Sequence, residues 1–273
     1  MAVDTSAQSS APTTPSTPTR ITSVLAGRVR AARRTFRSAV ASALLNPLLY
    51  LLAMGLGIGA VADPGQAAAL PGGSYLAFLA PGLLVATAMQ LAASESLWPV
   101  MVGLEWRRTY HAIVATPVRP VDLVLGNLAF IVLRAGAAGL LIGVVIVALG
   151  AAPPLGTLVA VGAGMLVAAA FTGLVTAFTA RVRNHQAMTA LLRFGIVPLF
   201  LFSGTFFPID RLPAALQAVA PLSPLWHGAE LARLAALGTD PAWPAAGHLA
   251  VLVGLAVLGA ALAERKIREL LTR

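Results

Sequence analysis

The amino-acid sequence predicts an all-α integral membrane protein with six transmembrane helices. Its 273 residues have a mean hydropathy of +0.84, and 58% of them are hydrophobic while only 11% are charged. A soluble domain of this size carries roughly a quarter charged residues. The charged residues are also clustered, and the apolar tracts between the clusters are each about 20 residues long, which is the length a membrane-spanning helix needs.

The N-terminal part precedes these tracts and has two sections. Residues 1–19, MAVDTSAQSSAPTTPSTPT, predict a disordered tail, because they are polar and contain almost no apolar bulk. Residues 20–40 predict an amphipathic helix lying in the plane of the lipid head groups. Its apolar face is expected to carry Ile21, Leu25, Val29, Ala32, Phe36 and Val40, and its basic face Arg30, Arg33, Arg34 and Arg37. A plain extension of the first span is the alternative.

Six apolar tracts then predict a transmembrane domain over residues 41–263. In order, they cover residues 41–61, 75–100, 125–150, 157–180, 188–207 and 244–263. Residues 264–273, ERKIRELLTR, follow as a charged C-terminal tail.

The basic residues are distributed unequally between the two sides of these tracts. Sixteen Lys and Arg lie on the side of both termini, two (Arg211 and Arg233) lie on the other side, and Arg134 falls within the third tract. Because Lys and Arg accumulate in cytoplasmic loops, both termini are predicted to be cytoplasmic. The same alternation accounts for the formal charge of +9 without nucleic acid as a partner.

The polar segment between the second and third tracts, residues 101–124, predicts a short helix. Thr116-Pro117 and Arg119-Pro120 end it, because the residue before a proline avoids the helical region. Its aromatic and basic side chains fit a groove of another protein, with an ordinary interfacial loop as the alternative. These side chains are Trp106, Arg107, Arg108, Tyr110, His111, Thr116 and Arg119.

The segment before the last tract is broken by four prolines between residues 206 and 238, so it cannot be one helix. Residues 212–220 and 225–237 predict two short helices on the external side. Non-helical backbone at membrane depth persists only where protein or water satisfies its polar groups, which indicates a pathway or an interface. Phe206 and Phe207, at the break made by Pro208, are predicted to close the outer end of that pathway.

Three charged residues fall inside tracts. Arg193 lies close enough to the end of the fifth tract for its side chain to reach the head groups. Glu95 in the second tract and Arg134 in the third lie deeper. Charged groups within spans are rare and usually paired. We therefore predict a structural ion pair, with contact to a substrate as the alternative.

The motifs of several catalytic classes are absent from the sequence. There is no P-loop, no H-E-x-x-H motif, no G-x-S-x-G elbow and no cysteine, so we expect no enzyme activity, metal or cofactor on this chain. His227 and Glu230 suit a surface hydrogen-bonding pair or, alternatively, half of a metal site. Gly139 and Gly143 form a GxxxG spacing suited to packing within the helix bundle.

Two stretches resemble the permease subunits of ABC-2-type ATP-binding-cassette exporters, in the branch of nodulation-factor (NodJ-like) and daunorubicin-resistance permeases. One is TYHAIVATPVRPVDLVLG, residues 109–126. The other is residues 198–233, of which FSGTFFPIDRLP, residues 202–213, is the most specific part. The resemblance covers the chain from about residue 20 onward.

This resemblance implies a type V exporter-like fold with an N-terminal interfacial helix, a cytoplasmic coupling helix and short external re-entrant helices. It implies that two permeases, identical or related, work with two copies of a P-loop ATPase that holds ATP and Mg. The expected function is efflux of an amphiphilic substrate, a drug-like natural product or a glycolipid, across the plasma membrane. A lipid-linked oligosaccharide or a cell-envelope lipid is an alternative cargo. A stand-alone channel, a proton-coupled carrier and a membrane enzyme are the other classes left open.

Overall fold

The computed structural model describes residues 16–34, 45–58 and 70–272, and every regular element within these ranges is a helix. We label the helices α1 to α10. They are α1 Thr17–Arg33, α2 Leu45–Gly55, α3 Tyr75–Met101, α4 Thr109–Val114, α5 Pro120–Ala148, α6 Pro154–Val182, α7 His185–Phe202, α8 Ala214–Val219, α9 Pro224–Leu237 and α10 Ala245–Leu271.

Five helices of the described ranges are long and apolar enough to cross a membrane, namely α3 with its extension to Trp106, α5, α6, α7 and α10. They correspond to the second to sixth predicted tracts. The shorter apolar helix α2 lies inside the first predicted tract, but residues 41–44 and 59–61 of that tract are outside the described residues. So are residues 1–15 of the predicted tail and residues 35–40 of the predicted interfacial helix.

Proline sets several helix boundaries. Pro120, Pro154 and Pro224 are the first residues of α5, α6 and α9. At this position a backbone N–H would have no partner within the helix, so its absence from proline costs no hydrogen bond. Helix α5 therefore begins five residues before the apolar tract that predicted it. In α3, Pro99 is followed by a π-helical turn, Val102–Trp106, because a proline inside a helix removes one backbone hydrogen bond.

Helices α3 and α6 form the centre of the bundle, with α5, α9 and α10 packed around them. Small residues allow close approach at the crossings. Gly156 of α6 lies against the backbone of α9 at Ala235, and Gly173 of α6 lies against α10. Gly139 and Gly143 of α5 face Val161 and Thr157 of α6, so the GxxxG spacing is used for packing within the bundle.

The bundle has two ends of different composition. One end, which we call the arginine-rich end, joins α1, α4 and the adjoining ends of α5, α6 and α10 in one apolar cluster. Val24, Tyr110, Leu123, Ala180 and Ile267 are among its members. Here α10 continues as a helix through the charged residues to Leu271. The opposite end is formed by the residues between α7 and α10 and by the start of α3.

Helix α1 packs on α5, with Val24 against Gly126. It begins at Thr17, within the stretch predicted to be disordered, with Pro18 in its first turn. Arg30, Arg33 and Arg34 of the predicted basic face are exposed, and Arg37 lies outside the described residues. The packed face differs from the predicted one. It includes Arg20 and Arg28, whereas Val29 is exposed. The difference arises because both arginines reach carboxylates on neighbouring helices, and an ion pair makes burial of a charged side chain tolerable.

Candidate functional site

A cavity of about 240 Å³ opens between four helices in the apolar part of the bundle. Helix α2 contributes Asn46, Pro47 and Tyr50, and α7 contributes Phe200. The remaining lining residues come from α3 and α5 and are Leu83, Thr87, Gln90, Leu91, Ser94, Glu95 and Arg134. Polar residues at this depth of a membrane helix are unusual and mark a functional surface by default.

The polar side of the cavity follows from the helical periodicity of α3. Thr87, Gln90 and Ser94 are three and four residues apart and therefore share one face. Glu95 follows Leu91 by four residues and adjoins this face. That face is partly accessible, while the opposite face of α3 is fully buried among α5, α6 and α9. Helix α3 thus combines a packing face with a hydrogen-bonding face.

Glu95 and Arg134, which the sequence predicted as a pair, are brought together by the structure. A carboxylate oxygen of Glu95 accepts a hydrogen bond from Nη1 of Arg134. The side chains are 19% and 34% exposed, so both remain accessible from the cavity that they line. The geometry leaves both roles open, the structural pair and the contact with a substrate.

A third charge, which the sequence analysis missed, completes this group. Arg28 of α1 places Nη2 3.7 Å from the other carboxylate oxygen of Glu95, and its guanidinium lies 4.9 Å from the ring centre of Phe130. The signal was present in the sequence, since Arg28 follows Leu25 by three residues and therefore belongs to the packed face of α1. Helix α1 is thereby connected to the cavity.

The cavity ends in an aromatic cluster toward the opposite end of the bundle. Tyr50 and Phe200, which line the cavity, each contact Phe206, at ring-centre distances of 5.7 and 5.0 Å. Phe206 is 2% exposed, whereas Phe207 is 48% exposed and has no ring contact within the described residues. Of the two predicted gate phenylalanines, the structure therefore places only Phe206 against residues that line the cavity. Pro208 lines a separate cavity of about 420 Å³.

Two polar side chains hold the backbone that carries Phe206. Tyr75 donates a hydrogen bond to the carbonyl of Phe206 over 3.2 Å. The buried Arg233 donates to the carbonyls of Gly204 and Thr205 and stacks on Phe78 with its guanidinium 4.1 Å from the ring centre. Burial lowers the pKa of Arg233 to about 10, while the nearby Glu230 opposes this shift. Arg233 therefore remains a cation and an efficient donor at neutral pH.

The predicted loop helix differs from expectation at the arginine-rich end. The turn Val102–Trp106 ends the extension of α3, and α4 is a separate helix that begins at Thr109. Arg108 lies between them in the left-handed region, with a φ of 49°. Trp106 is 65% exposed, but Tyr110 is only 6% exposed and packs against Gly103. The other predicted docking residues, Arg107, Arg108, His111, Thr116 and Arg119, are exposed.

The prediction that Tyr110 is a surface anchor is therefore wrong, because it is a buried residue that attaches α4 to the bundle. Because α4 is a separate helix, Tyr110 turns inward while His111 and the preceding Trp106 remain outside. Burial raises the pKa of Tyr110, and the nearby charges of Arg28 and Glu95 act on it with opposite signs.

His227 and Glu230 do not form the pair that their spacing suggested. Nδ1 of His227 lies 2.8 Å from Nδ1 of His248, and its Nε2 lies 2.9 Å from the carbonyl oxygen of Pro221, to which it donates. Glu230 instead pairs with Arg233. His227 is fully buried, so the surface interpretation is wrong. No group of three or more metal-ligating acidic or His side chains occurs among the described residues.

A bundle of apolar helices long enough to cross a membrane, around a cavity with polar side chains, defines a multi-pass helical membrane protein. Comparison with known proteins identifies its kind. Residues 20–237 match the family model of the ABC-2 type transporter. The chain is 35% identical over 195 residues to nodulation protein J of Rhizobium leguminosarum bv. trifolii, covering 71% of this chain and 72% of that protein. It is 33% identical over 196 residues to nodulation protein J of Rhizobium meliloti (strain 1021), covering 72% and 73%.

The chain therefore belongs to the ABC-2 type transporter family, in the branch of the nodulation protein J permeases. The resemblance drawn from residues 109–126 and 198–233 is confirmed for the family and for this branch. Membership makes the chain a membrane permease of an ABC exporter, a transporter whose family works with an ATP-binding subunit.

Proposed function

We propose that this permease exports an amphiphilic substrate across the plasma membrane, with both of its termini in the cytoplasm. ATP and Mg bind to a separate P-loop ATPase, present in two copies, and a second permease, identical or related, completes the exporter. The substrate is a drug-like natural product or a glycolipid. Family membership argues against the stand-alone channel and the proton-coupled carrier considered from the sequence.

The observation that carries this proposal is the mixed lining of the 240 Å³ cavity. It combines amide, hydroxyl and charged groups, including Asn46, Gln90 and Ser94, with the apolar side chains of Leu83, Leu91 and Phe200. A ligand with a polar head and an apolar tail satisfies both kinds of side chain, since each polar group of the site then finds a partner. The hydroxyl and amide lining favours a glycosylated head group over a purely hydrocarbon one.

Transport by the reconstituted complex tests the substrate class. The permease and its ATPase would be placed in vesicles with the ATPase outside, and uptake of two fluorescent lipids with the same tail, one glycosylated and one not, would be followed. We expect ATP-dependent uptake of the glycosylated lipid, reduced in Gln90→Leu. The matched control is Gln186→Leu, which makes the same change at an exposed position. Uptake without ATP, or equal uptake of both lipids, would contradict the proposal.

The docking surface for the ATPase is proposed to be the exposed side of residues 106–111. Trp106 and Arg107 are solvent-facing at the arginine-rich end and are residue types enriched in interface hot spots. Trp106→Ala/Arg107→Ala should reduce the ATPase that copurifies with the permease. The control Arg265→Ala/Arg268→Ala removes two exposed arginines at the same end and should retain it. Equal retention by both variants would remove this surface from the docking role.

Single cysteines test the proposed orientation, because the chain contains none of its own. A cysteine at Asn184, between α6 and α7, should resist a membrane-impermeant maleimide added to intact cells. A cysteine at Asp240, between α9 and α10, should react. Labelling at Asn184 from outside would reverse the orientation.

A further inference from the structure

Four buried oxygen atoms at the junction between α4 and the spans have no hydrogen-bond partner among the described residues. They are Oη of Tyr110 on α4, Oδ1 of Asn127 on α5, and Oγ1 of Thr172 and Thr176 on α6. The four residues are between 2% and 6% exposed, and no described residue accepts from or donates to these atoms. A polar atom left unpaired in a protein interior is costly, and four together need a common explanation.

The four residues line one small cavity, which supplies that explanation. The cavity has a volume of about 10 Å³ and has room for a water molecule. The rest of the lining is apolar apart from backbone and includes Leu123, Val124, Leu128, Gly173, Ala263 and Ile267. The cavity thus gathers polar atoms from three helices beside the end of a fourth, α10.

We propose that a water molecule binds in this cavity and that its hydrogen bonds fasten α4 to α5 and α6. The donor and acceptor count is balanced. The amide oxygen of Asn127 accepts one hydrogen bond from the water, whereas the three hydroxyl groups can each donate or accept. The water therefore makes about four hydrogen bonds, the upper end of the usual range for a buried water.

A water fits this lining better than a cation does. Hard cations such as Ca²⁺ are held by oxygen ligands that include carboxylates, and none of the residues lining this cavity is acidic. A water needs no counter-charge. It also explains why Tyr110, a polar residue, is the side chain that α4 turns inward.

Tyr110, which lines this cavity, belongs to the segment 106–111 whose exposed side is the proposed docking surface. Only the consequence for coupling rests on that proposed function. Force applied to α4 by an ATPase would reach α5 and α6 through Tyr110 and the water, in addition to apolar contacts. The presence of the water is tested on the permease alone, so failure of the exporter proposal would leave that result intact.

X-ray radiolytic labelling tests for the water directly, because hydroxyl radicals formed from a bound water oxidise the side chain beside it. Tyr110 should be oxidised several-fold faster than Tyr75. Tyr75 is a matched control, since it is 8% exposed against 6% for Tyr110 and its hydroxyl binds a protein carbonyl. Equally slow oxidation of the two tyrosines would overturn the proposal.

Isosteric variants provide a second test that distinguishes a bound water from orphaned atoms. Tyr110→Phe and Thr176→Val should each lower the melting temperature by roughly 2–4 °C, and the double variant should lose less than the sum because both residues share the water. If the atoms were truly unpaired, each substitution would be neutral or stabilising. Additive losses, or a melting temperature that depends on Na⁺ in place of choline, would likewise overturn the proposal.

Discussion

Replacing Gly173 of α6 by alanine should push α10 away from α6 and destabilise the bundle, because the two helices meet there without room for a side chain. A Cβ atom built on Gly173 would lie 2.6 Å from the backbone nitrogen of Ala260 and 2.8 Å from Cα of Gly259. These distances are roughly 1 Å shorter than the 3.5–4.0 Å at which carbon atoms attract each other. The clashing atoms are all backbone, so no side-chain rotation relieves them.

The expected loss of stability follows from the narrow buried face of α10. Its buried residues form a single stripe, His248, Leu252, Gly259, Ala263 and Ile267, and Gly259 lies in the middle of it. Overpacking of this kind costs about 1–3 kcal/mol. The higher helix propensity of alanine offsets up to about 1 kcal/mol of that. Relative to a glycine-to-alanine change that makes no clash, in which the same gain in propensity occurs, the destabilisation should therefore be about 1–3 kcal/mol, or roughly 2–12 °C in melting temperature.

Gly162→Ala is the matched control on the same helix, since a Cβ atom there would have no neighbour within 4 Å. Thermal unfolding in detergent, followed by tryptophan fluorescence, should show Gly162→Ala at or slightly above the wild-type melting temperature. Gly259→Ala should resemble Gly173→Ala, because its Cβ would lie 2.8 Å from the backbone nitrogen of Leu174. A Gly173→Ala variant as stable as Gly162→Ala would refute this account of the α6–α10 contact.

Three further predictions concern the cavity and the opposite end of the bundle. Glu95→Gln should destabilise the protein by about 1–2 kcal/mol, below the cost of breaking a fully buried pair because solvent screens the charges. Glu95→Gln should also destabilise the protein more than Arg134→Gln does, because in Arg134→Gln the carboxylate of Glu95 still pairs with Arg28. Equal losses of stability of the two variants in urea unfolding would argue against the shared contact. Phe206→Leu should raise substrate leak and basal ATP hydrolysis in proteoliposomes, whereas Phe207→Leu, at an exposed position, should match wild type. Burial lowers the pKa of His227 in the folded protein. The unfolded chain therefore binds more protons than the folded protein as the pH falls through about 6.5. The melting temperature should decrease on acidification, and it should decrease less in His227→Asn.

The sequence was sufficient for those features that depend on composition and local periodicity. Five of the predicted apolar tracts correspond to long helices, because apolar length alone decides whether a helix can span a bilayer. The approach of Glu95 to Arg134 also followed from the sequence, since two opposite charges in neighbouring apolar helices have few other partners. The two short helices before the last span were expected because prolines at 208, 213, 221 and 224 fix where helices can begin and end.

Features that depend on contacts between distant segments could not be predicted from composition and local periodicity. Trp106 and Tyr110 are four residues apart, which on one helix would place them on one face, yet the break at Arg108 separates them. A positive φ at a non-glycine residue is rare and has no reliable sequence signal. Tyr50 and Phe200 look like ordinary apolar-tract residues, and only their packing against Phe206 distinguishes them.

Helix α1 shows how such distant contacts change the interpretation of a familiar pattern. Its exposed arginines are those of an interfacial helix, but its packed face carries two more that reach different spans. Nε of Arg20 lies 2.6 Å from the carboxylate of Asp122, which also accepts the backbone N–H of Arg119 at the start of α5. Arg28 meets Glu95 on α3, at the polar side of the cavity. The single carboxylate of Glu95 is shared by two arginines, Arg28 and Arg134. A displacement of α1 that moves Arg28 therefore changes how Glu95 neutralises the charge of Arg134. Helix α1 is therefore an electrostatic part of the cavity as well as a segment suited to the membrane surface.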